Sequence, residues 1–159
     1  GVRITLLYLH LENTSHPAIQ AVQGDATSMP EFGDQSFDLV FSNSVIEHVY
    51  TFENQQKMAS EICRVGKSHF IQTPNAYFPI EAHYALPFAQ YYPKALLHFI
   101  LTKTKLSRFK RWNPAEASQY QEEIRLLTKS EMKALFPESI LLKEKALGLT
   151  KSFTAHNLG

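Results

Sequence analysis

The sequence predicts an α/β domain: a mostly parallel sheet with helices on both faces, closed by an antiparallel hairpin at the C-terminal end. Three observations predict it. Short apolar runs alternate with Gly, Pro, Asn and Asp breaks in the order strand, loop, strand, helix, strand. "FDLVF" has Leu39, Val40 and Phe41 in a row, which suits a strand buried on both faces, as in a covered parallel sheet. Near the end, "SILLKEKAL" and "TKSFTAHN" flank Gly148, the pattern of two strands joined by a tight turn.

Each element has a local reason. Val2 to Glu12, "VRITLLYLHLE", is rich in Ile, Leu and Tyr and reads as the first strand, stopped by "NTSHP". Ala18 to Gln23 is a second short strand ending at Gly24-Asp25, and "TSMPEFGDQS" is a loop. "FDLVFSN" is the third strand. Thr51 is a suitable N-cap for a helix whose apolar face repeats at Phe52, Gln55, Met58, Ala59, Ile62 and Cys63, with Gly66 as its stop. Cys63 is therefore expected to pack rather than react. Ser68 to Asn75 is the fourth strand. The aromatic, proline-containing stretch that follows is read as two helical pieces, about Leu86–Tyr91 and Pro93–Thr102, and after a polar stretch a helix capped by Thr128 or Ser130 ends before Pro137.

The chain has 159 residues, 44% of them hydrophobic and 19% charged, with a net charge of +1. That composition suits one globular domain and carries no overall argument for nucleic acid. The charge is unevenly spread: Glu12 to Glu61 holds eight acids and one base, while Ala82 to Ala115 holds six bases and no acid. The basic stretch is read as the solvated end of a packed helix rather than a membrane-surface face. A single cysteine excludes an internal disulfide framework and suits a reducing, cytoplasmic setting. No apolar run is long enough to span a membrane, and no signal peptide is visible. The seven histidines match no ligand spacing, so no metal site is expected.

In an open α/β sheet, ligands bind beyond the carboxyl ends of the strands. Short polar residues recur at those ends: His10 and Glu12, Asp25-Ala26, Ser42-Asn43-Ser44, and Thr73-Pro74-Asn75. The apolar segment after the third strand is interrupted by Glu47 and His48, and His83 stands beside Glu81 in the aromatic segment. Both histidines are candidate proton acceptors, because an imidazole titrates near neutrality. Tyr77, Tyr84 and neighbouring aromatics can wall an apolar pocket.

The combination "GDATSMPEFGDQSFDLVFSNSVIEHV", followed by "EICRVGKSHFIQTPN" and a terminal hairpin, resembles the class I S-adenosylmethionine-dependent methyltransferases of the type 11 kind. The resemblance covers most of the chain and implies a Rossmann-like sheet in a single domain, with an aromatic and basic substrate-covering insertion at about 76–115. It implies that Asp25 and Ala26 lie against the adenine of S-adenosylmethionine, and that Ser42, Asn43 and Ser44 line its methionine part. Glu47 and His48 would stand at the mouth for a small-molecule acceptor, with Glu81, Tyr77 and Tyr84 on the substrate side. The acid that holds the ribose aligns with His10 here; Glu12, two residues on and on the same strand face, takes its place. The glycine-rich Gly-x-Gly-x-Gly loop of that family is not in this sequence, so the chain is expected to be the C-terminal part of a longer enzyme, with unpaired edges on the neighbouring strands. The missing loop also motivates a competing reading, a non-catalytic binding module on the same fold. A nucleotide-dependent dehydrogenase shares the sheet grammar but needs a Gly-x-Gly-x-x-Gly that is absent.

Overall fold

The computed structural model describes residues 1–9, 16 and 18–159. Two parallel strands, β1 (Ile4–Tyr8) and β2 (Ile19–Gln23), pair in register from Ile4 with Ile19 to Tyr8 with Gln23. The main sheet has β3 (Phe37–Asn43) parallel to β4 (Gly66–Pro74), then β8 (Leu149–His156) and β7 (Ile140–Ala146) antiparallel, in the order β3-β4-β8-β7. β1 and β3 are not hydrogen-bonded to each other, and a hollow of about 380 Å³ lies between them. Among the described residues, the facing edges of β1 and β3 carry no strand pairing.

Helix α1 (Phe52–Val65) connects β3 to β4, and its cap is as the sequence predicts: the Thr51 hydroxyl accepts from the Asn54 amide at 3.1 Å. Gly66 begins β4 directly after α1. A Cβ there would sit 2.6 Å from the Val40 side chain and 2.9 Å from the Ser68 carbonyl, so only glycine lets helix and strand meet this closely. Met58 and Ile62 of α1 pack with Ile71 of β4, Phe153 of β8 and Met132 of α4 (Lys129–Leu135) in the main core. Gly148, at φ 78°, makes the hairpin turn between β7 and β8.

The fold class is the one the sequence predicts, with four local differences. Leu39 and Phe41 are 47% and 66% exposed, not buried. Val40 packs against the core formed with α1 and α4, whereas Leu39 and Phe41 lie on the opposite face, where Phe41 stacks on Phe70 at 5.8 Å. Cys63 is exposed: it lies one residue beyond the buried Ile62, outside the stripe that meets the sheet. The expected helix at Leu86–Tyr91 is instead a short strand β6 (Leu86–Pro87), paired with β5 (Ile80–Glu81), and a single 3₁₀ turn at Ala89–Tyr91. The Pro87 ring and a left-handed Phe88 (φ 55°) prevent a continuous helix. Last, the polar stretch contains a helix, α3 (Pro114–Glu123), which the hydrophobic pattern did not reveal. Its signal is Asn113, whose side chain caps the Ala115 amide, followed by Pro114 at the first helical position.

α2 (Lys94–Lys103) packs on α3, not on the sheet. Leu97, Leu101, Trp112 and Ala117 form a second core with Tyr84 and Leu86. Its polar atoms are paired: Trp112 Nε1 donates to Ser107 Oγ at 3.0 Å, and that hydroxyl donates to the Tyr84 carbonyl at 2.7 Å. The basic residues after α2, Lys105 to Arg111, are mostly exposed, as a solvated end requires. Among the described residues no helix is long and apolar enough to cross a membrane.

α4 begins with a capping box. The Thr128 hydroxyl accepts from the Glu131 amide at 3.3 Å, and the Glu131 carboxylate accepts from the Thr128 amide at 2.8 Å. Thr128→Ala is expected to lower stability by about 1 kcal/mol, read as a lower midpoint in urea unfolding. An unchanged midpoint would show that the cap is redundant with packing of Met132 and Leu135.

Candidate functional site

The end of β3 is where the chain leaves the sheet. Ser42 is buried, and its hydroxyl has no hydrogen-bond partner among the described residues. Asn43 is exposed at the strand end. Ser44 takes a left-handed conformation, φ 55°, while its amide still donates to the Gln72 carbonyl at 3.0 Å. This bend sends the chain into a 3₁₀ turn, Ile46–His48, with a second left-handed residue, Tyr50 (φ 66°), on its far side. Ile46 anchors the turn in the main core.

The turn explains why the apolar segment carries Glu47 and His48. Glu47 is fully buried; one carboxylate oxygen accepts from the Thr73 hydroxyl at 2.8 Å, and the other, Oε1, has no hydrogen-bond partner among the described residues. Burial pushes its carboxyl above the ordinary value, against the Thr73 hydrogen bond and the nearby imidazoles, which favour the charged form. Gln55 of α1 holds the turn in place: its Nε2 donates to the carbonyls of Ile46 at 3.1 Å and Arg125 at 2.7 Å. The Arg125 amide in turn donates to the Glu47 carbonyl at 2.8 Å.

Glu81 arrives from β5, also buried. It accepts from the Tyr84 amide at 2.8 Å and from His83 Nδ1 at 2.6 Å. His48 Nδ1 lies 2.7 Å from Glu123 of α3. The two imidazoles meet edge to face, Nε2 to Nε2 at 3.1 Å. His48, His83, Glu47 and Glu81, chosen separately from two distant segments of sequence, therefore form one cluster.

Hollows open beside it. One of about 470 Å³ at the carboxyl ends of β3 and β4 is lined by Asn43, Ser44, Gln72, Asn75 and Glu81. Another of about 370 Å³ is walled by Tyr77, Tyr84, Tyr91, Tyr92 and Glu81. Ala26, Ser42 and Asn43 line the hollow between β1 and β3. Asp25 is exposed beside Ala26, and its Oδ1 accepts from both the amide and hydroxyl of Thr27 at 2.8 Å. His10 and Glu12 lie outside the described residues.

Two members of the cluster escaped the sequence reading as site residues. Thr73 was visible only as a strand end, and Glu123 sits in the helix that polarity concealed. The Asn113-Pro114 start was the available signal for Glu123; nothing local marks Thr73 as a partner for Glu47.

Residues 6–69 match the family model described as a methyltransferase domain. An uncharacterized protein of Mycobacterium tuberculosis, found alike in two strains, is 33% identical over 54 residues, which is 34% of this chain and 18% of that protein's length. The matched stretch is thus a small part of those relatives. Among solved structures, one from Rhodobacter sphaeroides described as a candidate Zn-dependent alcohol dehydrogenase superposes with TM-score 0.54 at 15% identity, over 87% of this chain and 65% of its own. A candidate exported protein of Bordetella parapertussis gives TM-score 0.52 at 14% identity, over 89% and 45%. A SAM-dependent methyltransferase of Methanosarcina mazei gives 0.49 at 15%, over 87% and 66%. For the first two the likeness is one of fold. The stretch that matches the methyltransferase-domain model carries the Gly24-Asp25-Ala26, Phe37-Asp38-Leu39-Val40 and Glu47-His48 pattern.

Proposed function

We propose that this chain moves a methyl group from S-adenosylmethionine to a small-molecule acceptor. The observation that carries the reading is the gathering of the polar strand ends and the Glu47–His48–His83–Glu81 cluster around adjoining hollows at the carboxyl edge of the sheet. The residues fit a charged nucleoside on one observation above all: Ser42 presents a buried hydroxyl with no partner to the hollow that Ala26 and Asn43 also line. Asp25, Ala26, Ser42, Asn43 and Ser44 would hold the cofactor, with Glu12 as the ribose acid. When bound, S-adenosylmethionine supplies an already activated sulfonium methyl, so the protein's task is mainly to position the acceptor in line.

Residues 76–115 serve as the substrate-covering element in this reading. A hollow of about 370 Å³ walled by four tyrosines suits an acceptor of small-molecule size. Glu81 and Glu47 orient polar atoms of the acceptor, and Tyr77 and Tyr84 flank its apolar part. Where the acceptor is a hydroxyl, the His48–His83 pair takes its proton, with Glu123 and Glu81 fixing the tautomers.

The test is a calorimetric titration of the chain with S-adenosylmethionine and with S-adenosylhomocysteine. Saturable binding of both, weakened at least tenfold in Asp25→Ala, is the expected outcome. Absence of heat with either nucleoside, in a chain shown to be folded by circular dichroism, would favour the non-catalytic binding module.

A further inference from the structure

The Glu47–His48–His83 cluster has a feature that packing alone does not account for. Each imidazole Nδ1 faces a carboxylate oxygen, Glu123 at 2.7 Å for His48 and Glu81 at 2.6 Å for His83. With those carboxylates ionised they only accept, and each Nδ1 then carries the proton and donates it. In the neutral rings both Nε2 atoms then present lone pairs, and these face each other at 3.1 Å. Glu47 Oε1, buried and without a hydrogen-bond partner, adds a third acceptor 3.9 Å from His83 Nε2. With Glu47 ionised, three acceptors converge with no donor between them, and the ligating atoms all lie within 4.8 Å of one another. Such an arrangement is repulsive unless something positive occupies its centre.

The charges point the same way. Glu47, Glu81 and Glu123 crowd one corner, and among the described residues no lysine or arginine forms an ion pair with any of them. Carboxylates that grip the far nitrogen of an imidazole, fixing its tautomer and turning Nε2 inward, are the usual support of a metal-bound histidine. The spacing of the two imidazole nitrogens is also right. Two nitrogens each about 2.05 Å from one ion stand about 2.9 Å apart at a right angle and about 3.3 Å apart at a tetrahedral angle. The observed 3.1 Å lies between these.

We propose that Glu47 Oε1, His48 Nε2 and His83 Nε2 bind one first-row divalent cation of the zinc, cobalt and manganese class. Two imidazoles and one carboxylate are a borderline donor set, suited to those ions rather than to magnesium or calcium, which want oxygen. His48 keeps 25% of its side-chain surface exposed, so positions remain open on the solvent side for water or an acceptor oxygen. With the ion in place the two imidazoles would be ligands rather than the base, and an acceptor hydroxyl on an open position would release its proton to solvent water, because the ion would lower its pKa. The site goes beyond methyl transfer and stands without it, since it needs no nucleoside.

The probe is Co²⁺ alone, titrated into the untagged full chain without S-adenosylmethionine and followed by visible absorption. The expected result is one Co²⁺ per chain, displaced by Zn²⁺, with affinity at least a hundredfold weaker in His48→Ala, His83→Ala and the isosteric Glu47→Gln. Glu81→Gln, which acts only through His83, is expected to weaken binding by about 10–100-fold while leaving the one-to-one stoichiometry. His98→Ala, on α2, is expected to change nothing. If an alanine variant fails to fold, Glu47→Gln and His83→Asn carry the comparison. No saturable Co²⁺ binding at millimolar concentration would overturn the proposal and leave the two imidazoles sharing a proton. Binding that persists unweakened in folded Glu47→Gln and His83→Asn would overturn it equally.

Discussion

A double variant, His48→Ala with His83→Ala, is expected to lower turnover by about 10²–10⁴-fold toward a hydroxyl acceptor. The two rings meet at 3.1 Å, and each is held by its own carboxylate, so neither can substitute for the other without moving. The single variants are expected to fall nearly as far as the double, because residues that act as a unit lose their effect together. The measurement is steady-state turnover with saturating nucleoside, beside calorimetric binding of S-adenosylhomocysteine. Unchanged nucleoside affinity with collapsed turnover places the pair on the acceptor side. Unchanged turnover in the double variant would remove both residues from the chemistry.

The second large effect concerns Gln55. Gln55→Leu is expected to cost on the order of 3 kcal/mol of folding stability, because the carbonyls of Ile46 and Arg125 would lose their donor inside the protein. The Arg125 guanidinium would also lose the Gln55 Oε1 that it contacts at 2.8 Å. Since these bonds pin the turn that carries Glu47 and His48, the variant should lose Co²⁺ binding even under conditions where it remains folded. Urea unfolding gives the stability, and the same cobalt titration gives the positioning. A Gln55→Leu protein with wild-type stability would show that packing of Ile46 alone holds the turn.

Much of this protein is legible in its sequence because the signals are local. Thr51 and Thr128 cap helices through hydrogen bonds to residues three positions away, and Gly148 turns a hairpin between its own neighbours. The strand ends are likewise written in place, as a switch from apolar to small polar residues at Ser42. What misled was context. Leu39 and Phe41 read as buried because the run is apolar, yet the core that α1 and α4 help build lies on the face of Val40. Cys63 fits an apolar period, but it lies at the margin of the stripe and reaches solvent. α3 lacks an apolar face strong enough to announce itself, since it packs through Ala117 and the flanks of Tyr120.

The sequence by itself determined the fold class, the strand and helix order around the sheet, and the list of residues able to do chemistry. It also named Glu47, His48, Glu81 and His83, because charged and titratable side chains inside apolar surroundings are conspicuous. Only the tertiary structure decided that these four are one site, that Thr73 and Glu123 complete it, and that two imidazole nitrogens and a buried carboxylate oxygen converge there. The physical reason is distance along the chain. His48 and His83 stand 35 residues apart, and Glu123 is 75 residues from His48, so no periodicity or motif spacing relates them. Their meeting is set by the turn after β3, the β5–β6 ribbon and the placement of α3, each held by its own packing.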